Sequence, residues 1–153
     1  MKIESFLEVL KALHEHEVDY ILIGGLAVIM QGVPRITEDV DIFVKRDPSN
    51  FDRLQKALRA VFNDVSINEI KQEELVKYPV IRYGTPEDYY IDIVDRVGEM
   101  FKYDDLEFET ITSHGTPIRV ATKETLIKLK QGTPRQIDKA DVLMLNEILS
   151  RKK

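Results

Sequence analysis

An apolar run, Tyr20-Ile21-Leu22-Ile23, is closed by Gly24-Gly25, and thirteen residues later Asp39-Val40-Asp41 leads into Ile42-Phe43-Val44. Both runs read as buried strands, and this pattern constrains the fold more than any other stretch. Residues two apart on a strand project to the same side of a sheet, so Asp39 and Asp41 point together. Paired carboxylates repel, and removing them from water is costly unless a cation neutralises them. Hard divalent cations such as Mg²⁺ take oxygen ligands and bridge carboxylates to substrate phosphates. The pair therefore points to metal-dependent phosphoryl transfer. The strand, Gly-Gly, helix order adds a helix start at which glycines allow a phosphate close to the backbone. Neither a Walker motif nor a G-x-G-x-x-G fingerprint accompanies it.

A third acid has the same character. Asp92 interrupts the apolar run Tyr90-Ile91-Asp92-Ile93-Val94, and an acid inside such a strand needs a reason to be there. Beside Asp39 and Asp41 it would complete a set of three carboxylates. Two would hold metals, and the third would both ligate and accept the proton of an attacking hydroxyl. The other reading of Asp92 is a salt-bridged or edge-strand acid. Asp95, Asp88 and Glu87 read as turn or capping residues. Arg35 has two partners in prospect, a substrate phosphate or Asp39. Thr37 reads as a turn residue or a substrate contact.

The remaining elements follow from periodicity. Phe6, Leu7, Val9, Leu10 and Leu13 predict an amphipathic helix over residues 3–16. Short helices are expected from Leu26 to Gln31 and, behind the Asp47-Pro48-Ser49-Asn50 cap, through Phe62. Residues 63–77 suit a loop with a short helix. Tyr78–Tyr83 and Tyr89–Val94 predict two strands, and 108–112 with 118–120 a smaller pair. Thr122 caps a helix to about Gln131, and a last helix follows Gly132-Thr133-Pro134 to the C-terminus. The alternation predicts one mixed α/β domain over residues 1–153, with a sheet-containing core to 121 and C-terminal helices from 122.

With 153 residues, a net charge of −5, 43% hydrophobic and 32% charged residues, the chain has the make-up of an ordered globular domain. Its acidity argues against a protein that coats nucleic acid. It has no cysteine, so disulfides and thiolate metal sites are excluded. No apolar stretch is long enough for a bilayer, and Met1-Lys2-Ile3-Glu4 runs straight into a helix without a signal-peptide pattern. A cytoplasmic location is the expectation. His14 and His16 stand two apart on a helix and so point apart. They read as surface or interhelical residues, His114 as an ordinary turn residue, and the tyrosines as sheet packing, with stacking on a nucleobase as the other reading.

Gly24-Gly25 followed by Asp39-Val40-Asp41-Ile42 resembles the signature of the DNA polymerase β-like nucleotidyltransferase superfamily. The segment Gly32-Val33-Pro34-Arg35-Ile36-Thr37-Glu38 is similar to a stretch of the subgroup that includes the AbiEii-type toxins. Asp92 corresponds to the superfamily's third carboxylate. Lys128, Arg135, Asp138 and Asp141 match the lysine, arginine and aspartates of that subgroup's C-terminal helices, although the usual Lys-Asp pair is replaced by Ile137-Asp138. The resemblance implies the nucleotidyltransferase fold, a central mixed sheet flanked by helices. It implies transfer of a nucleoside monophosphate from an NTP such as ATP to an acceptor hydroxyl, with Mg²⁺ (or Mn²⁺) and loss of pyrophosphate. Asp39 and Asp41 would bind metal, with Asp92 as a further ligand and base. Gly24, Gly25, Arg35, Thr37, Lys128 and Arg135 would serve the nucleotide. The acceptor would be a protein, a tRNA or a small molecule, and an antitoxin protein would be a partner if the chain is a toxin.

Two other classes compete. A non-catalytic nucleotide-binding or partner-binding module would keep the fold without turnover, but the presence of all three acids argues against it. Phosphate-ester hydrolysis could use the same acids, yet no His or Cys lies near them in sequence, and the Gly-Gly turn suits a triphosphate.

Overall fold

The computed structural model describes residues 3–99, 101–131 and 133–151. Met1, Lys2, the last two residues and Gly132, which was expected in the final turn, lie outside them. Helix α1 (Ile3–Glu15) leads to β1 (Tyr20–Ile23), α2 (Gly24–Met30), β2 (Val40–Val44) and α3 (Pro48–Val61). A 3₁₀ turn at Val65–Glu69 and α4 (Gln72–Lys77) precede β3 (Ile81–Gly84) and β4 (Tyr90–Val94). Two short strands, β5 (Arg96–Val97) and β6 (Phe101–Lys102), pair with each other. Strands β7 (Phe108–Ser113) and β8 (Thr116–Ala121) then lead into α5 (Lys123–Lys130) and α6 (Gln136–Arg151).

Six strands form one mixed sheet in the order β3-β4-β2-β1-β8-β7. Strand β1 runs antiparallel to β2 and parallel to β8, while β2 is parallel to β4. The outer pairs β3–β4 and β7–β8 are antiparallel hairpins. Successive residues Tyr20, Ile21 and Leu22 of β1 are all buried, so both faces of the sheet are covered at its centre. Helix α1 packs on α3 and β8, and α2 packs on β1, β2 and α5, which carries α6. Among the described residues no helix is long and apolar enough to cross a membrane.

The mixed α/β architecture with C-terminal helices is as the sequence predicts, and local differences have local causes. Helix α2 begins at Gly24 rather than at Leu26, so the glycines form its first turn. Strand β2 begins at Val40, with Asp39 just outside it. Strand β3 starts at Ile81 rather than Tyr78. Tyr78 instead closes α4, its N–H bonded to Glu74, and Pro79 next to it has no N–H for a ladder. Asp47 and Thr122 cap α3 and α5 by accepting bonds from Ser49 and Thr125, as their side chains dictate. Asp95, expected in a turn or cap, is instead buried between Arg46 at 2.6 Å and Arg96 at 3.0 Å. Those cations offset its desolvation.

Asn50 shows how the N-terminus of α3 is locked to the sheet. Fully buried, it accepts from the Asp19 N–H at 2.7 Å and donates to the Asp19 and Lys45 carbonyls, each at 3.0 Å. It thus joins the residues flanking the start of β1 and the end of β2. Asn50→Ala would take the side-chain partner from the Asp19 N–H and the Lys45 carbonyl, the Asp19 carbonyl keeping its bond from the Lys45 N–H at 3.1 Å, and should lower stability by about 2–3 kcal/mol. Urea unfolding measures this, and a loss within experimental error would remove Asn50 as the lock.

Candidate active site

Because β1 and β2 are antiparallel, the end of β1 and the start of β2 lie at the same end of the sheet. Ile23 pairs with Asp41, Asp41 with Asp92, and Asp92 with Arg82. Lateral partners on neighbouring strands share a face. Asp41, Asp92 and Arg82 therefore form a row across β2, β4 and β3, and Asp39, two residues before Asp41, joins that side. All three acids are half-buried. The Asp39 carboxylate is held by the Tyr90 N–H at 3.0 Å. The convergence expected of Asp39, Asp41 and Asp92 is thus present in the backbone pairing itself.

The acids line a cleft of about 340 Å³ together with Gly24, Gly25, Arg35, Thr37, Arg82, Lys130, Arg135 and Asp138. Gly24 has φ +71°, and a Cβ on it would lie 2.1 Å from the Asp41 Oδ2. Glycine is required there twice over, by backbone conformation and by the acid packed against it. A Cβ on Gly25 would lie 2.7 Å from the Thr37 Oγ1 and 3.0 Å from the Arg35 Nη2. The glycine pair is therefore explained by the cleft's own side chains as well as by room for a phosphate. Buried Thr37 reaches the Asp39 carbonyl at 3.4 Å.

Charge is unevenly distributed around this cleft. Asp41 is pushed from the ordinary 3.8 up to about 7. Burial contributes most, followed by the charge of Asp92, a shared hydrogen bond with it and the charge of Asp39, while Lys130 pulls the other way. Arg82 serves Asp39 and Asp92, its Nε 3.1 Å from Asp92 and its Nη2 3.5 Å from Asp39. Arg35 does not reach Asp39; it pairs with the buried Asp141 at 2.5 Å. Lys130 lies 3.0 Å from Asp138 and 3.2 Å from Asp141. Burial would raise Asp138, but hydrogen bonds from Lys130 and Thr133 outweigh it and hold the acid below its usual range.

Among the described residues no group of three acidic or histidine side chains is gathered into a preformed metal cage. The donor chemistry nonetheless fits a hard divalent cation: three carboxylates share one side of the cleft, and burial, with the charges of Asp92 and Asp39 added, pushes Asp41 up to about 7.

The C-terminal cation differs from the expected one. Lys128 is exposed on α5 and does not line the cleft. Lys130 does, because residues two apart on a helix point about 200° apart. The burial of Leu126 and Ile127 marks the inward face, and Lys130 sits one turn further along it. That apolar spacing was the available signal. Arg135 lines the cleft but is mostly exposed, 3.9 Å from Asp138. Arg82, which sequence reasoning passed over, alternates with Ile81 and Tyr83 in β3, and only the strand register reveals its partners.

The AbiEii family, "Nucleotidyl transferase AbiEii toxin, Type IV TA system", matches residues 6–130, most of the chain. The chain belongs to the AbiEii nucleotidyltransferase family. No curated protein sequence matches it. Among solved structures it is similar to the lincosamide antibiotic adenylyltransferase LnuA, bound to lincomycin, with 15% identity and a TM-score of 0.64. The match covers 95% of this chain and 96% of that one. The antibiotic-resistance factor ANT(2'')-Ia aligns with 13% identity and a TM-score of 0.60, over 97% of this chain and 84% of that one. An antigenic nucleotidyltransferase-like protein from Paracoccidioides brasiliensis aligns with 19% identity and a TM-score of 0.55, over 94% and 75%. At such identities these three establish the nucleotidyltransferase fold for this AbiEii-family chain.

Asp41 gives a pH test. Between 3.8 and about 7 the folded AbiEii-family domain keeps a proton on Asp41 that the unfolded chain has released, so stability falls as pH rises through that window. In EDTA, Asp41→Asn should match the wild type below about pH 4 and exceed it above about pH 7 by on the order of a few kcal/mol. Urea unfolding at both ends of the window checks this. A difference independent of pH would mean that Asp41 ionises normally.

Proposed function

We propose that this chain transfers a nucleoside monophosphate from an NTP, ATP in the first instance, to a hydroxyl of an acceptor molecule. The observation that carries the reading is the lateral pairing of Asp41 with Asp92 on adjacent strands, with Asp39 on the same side and Gly24 packed against Asp41. Asp39, Asp41 and Asp92 would hold Mg²⁺ (or Mn²⁺). Bound there, the cation would supply charge neutralisation for the triphosphate and activation of the acceptor hydroxyl.

The chain's own residues supply position and proton transfer. Asp92 accepts the acceptor's hydroxyl proton as its oxygen bonds to the α-phosphorus. The bond from that phosphorus to the bridging oxygen of the β-phosphate breaks, and pyrophosphate departs with the electron pair. Gly24 and Gly25 admit the triphosphate to the start of α2. Lys130 and Arg135, on the C-terminal wall, offset charge that builds on the departing pyrophosphate. Arg35 and Thr37 border the nucleotide, and Lys128 has no part in it. Reactions of this kind depend chiefly on positioning and electrostatics, which a domain of this size can provide.

The family's description supports a toxin–antitoxin setting, in which an antitoxin protein would be the partner. The acceptor class is open among protein, tRNA and small molecule. The adenylyltransferase among the structural neighbours supports including small molecules in the search. ATP labelled on the α-phosphate, incubated with the protein and fractionated lysate, identifies the acceptor by where label appears. Label appearing only as free AMP would favour hydrolysis, and ATP bound without any conversion would favour a non-catalytic module.

Asp39→Asn and Asp41→Asn should each reduce transfer at least about a hundredfold while the fold survives. ATP should bind well only when Mg²⁺ is present, since the uncompensated acids repel a triphosphate. Equal ATP affinity with and without Mg²⁺, measured by calorimetry, would remove the metal reading. Lys130→Gln should weaken ATP binding, whereas Lys128→Gln should leave both affinity and stability within about 0.5 kcal/mol of the wild type. The reverse order would restore Lys128 to the cleft.

A further inference from the structure

Arg82 stands where a metal ion would compete with it. It lies on β3, an edge strand, opposite Asp92 in the β3–β4 register. Its Nε bonds the Asp92 Oδ1 at 3.1 Å, and its Nη2 lies 3.5 Å from the Asp39 Oδ2. The guanidinium rests over the half-exposed ring of Tyr90, 4.1 Å from its centroid. One side chain thus bridges Asp39 and Asp92 and leaves Asp41 without an ion-pair partner among the described residues.

Two features make this bridge exchangeable. The Arg82 side chain is 54% exposed, and ion pairs open to water are weak. It is also permanently charged and carries forked donors suited equally to carboxylates and phosphates. A divalent cation held by Asp39 and Asp92 would compete with Arg82 for the charge of those carboxylates. Once displaced, the guanidinium stays at the cleft mouth, where the Tyr90 face can retain it by cation–π attraction.

We propose that Arg82 is an exchangeable counter-ion of the carboxylate cluster: it occupies Asp39 and Asp92 in the nucleotide-free protein, gives them up to the divalent cation, and turns to the phosphates of the incoming nucleotide. The inference rests on the metal-dependent reading of the cleft. It assigns Arg82 a binding role whose sign reverses between two ligands. Arg82 opposes the metal alone and favours the metal–nucleotide complex. A residue that merely stabilised β3 would move both affinities in the same direction.

The test uses the nucleotide-free protein, with free Mn²⁺ counted by electron paramagnetic resonance during titration. Arg82→Gln should bind Mn²⁺ about threefold to tenfold more tightly than the wild type, with Arg82→Lys in between. The same Arg82→Gln protein should bind the Mg²⁺ complex of a non-hydrolysable ATP analogue several-fold more weakly, with an unchanged melting temperature. Unchanged or weaker Mn²⁺ binding in Arg82→Gln, beside measurable binding to the wild type that Asp41→Asn abolishes, would overturn the proposal and leave the metal site standing. Tighter Mn²⁺ binding with unchanged or tighter nucleotide binding would overturn the turn toward phosphate. If neither the wild type nor Arg82→Gln binds Mn²⁺ at millimolar concentration, the metal reading falls and this proposal falls with it.

Discussion

Three carboxylates on adjoining strands repel one another, and the arrangement of charge around the cleft can be understood as the response. Arg82 covers Asp92 and Asp39, at 3.1 Å and 3.5 Å. Asp41, packed against Gly24, is pushed up to about 7, by its burial first and then by the charges of Asp92 and Asp39. Lys130 eases that shift from a distance, but its direct bonds go to Asp138 and Asp141. The repulsion is tolerable because the strands are fixed elsewhere: by the buried run of β1 and by Asn50, which anchors α3 to the residues bordering β1 and β2. A rigid scaffold can hold like charges together in a way that a flexible loop cannot, and such a site gains most from a divalent cation.

Much of this was legible in the sequence because it is local. The glycine pair, the Asp-x-Asp strand and the acid inside Tyr90–Val94 are each visible in a few consecutive residues. Period-two alternation then states which way the acids point. Hydroxyl and carboxylate caps such as Asp47 and Thr122 declare helix starts through chemistry that needs no tertiary context.

What escaped depends on register and on long-range partners. Arg82 is an unremarked arginine until β3 is paired with β4. Asp95 resembles a turn acid until Arg46 and Arg96 close on it. Lys128 and Lys130 are chemically alike and two residues apart, and only the orientation of α5 separates the exposed one from the one in the cleft. Tyr78 lies in a run that favours strand, yet Pro79 and the end of α4 claim it. For Arg82, Asp95 and the two lysines, distant packing decides between the readings; for Tyr78 the adjacent proline and helix end do.

The ion pairs of the C-terminal wall bear on where this domain can be divided. The family match ends at residue 130, at the lysine that faces the cleft. Its two acids, Asp138 and Asp141, lie beyond that limit on α6, and Asp141 also holds Arg35 from the segment before β2. Leu145, one turn further, is fully buried in the core. A chain cut at the matched boundary would keep Lys130 and Arg35 but lose both their acids and part of the core. Lys130 would then be left without its acids beside Asp41, whose charge it already offsets, and Arg35 would keep, among the described residues, only its bond to the Ile36 carbonyl. The smallest piece with a faithful cleft therefore extends through α6, whose first turns belong to the site as fully as the strands that carry the acids.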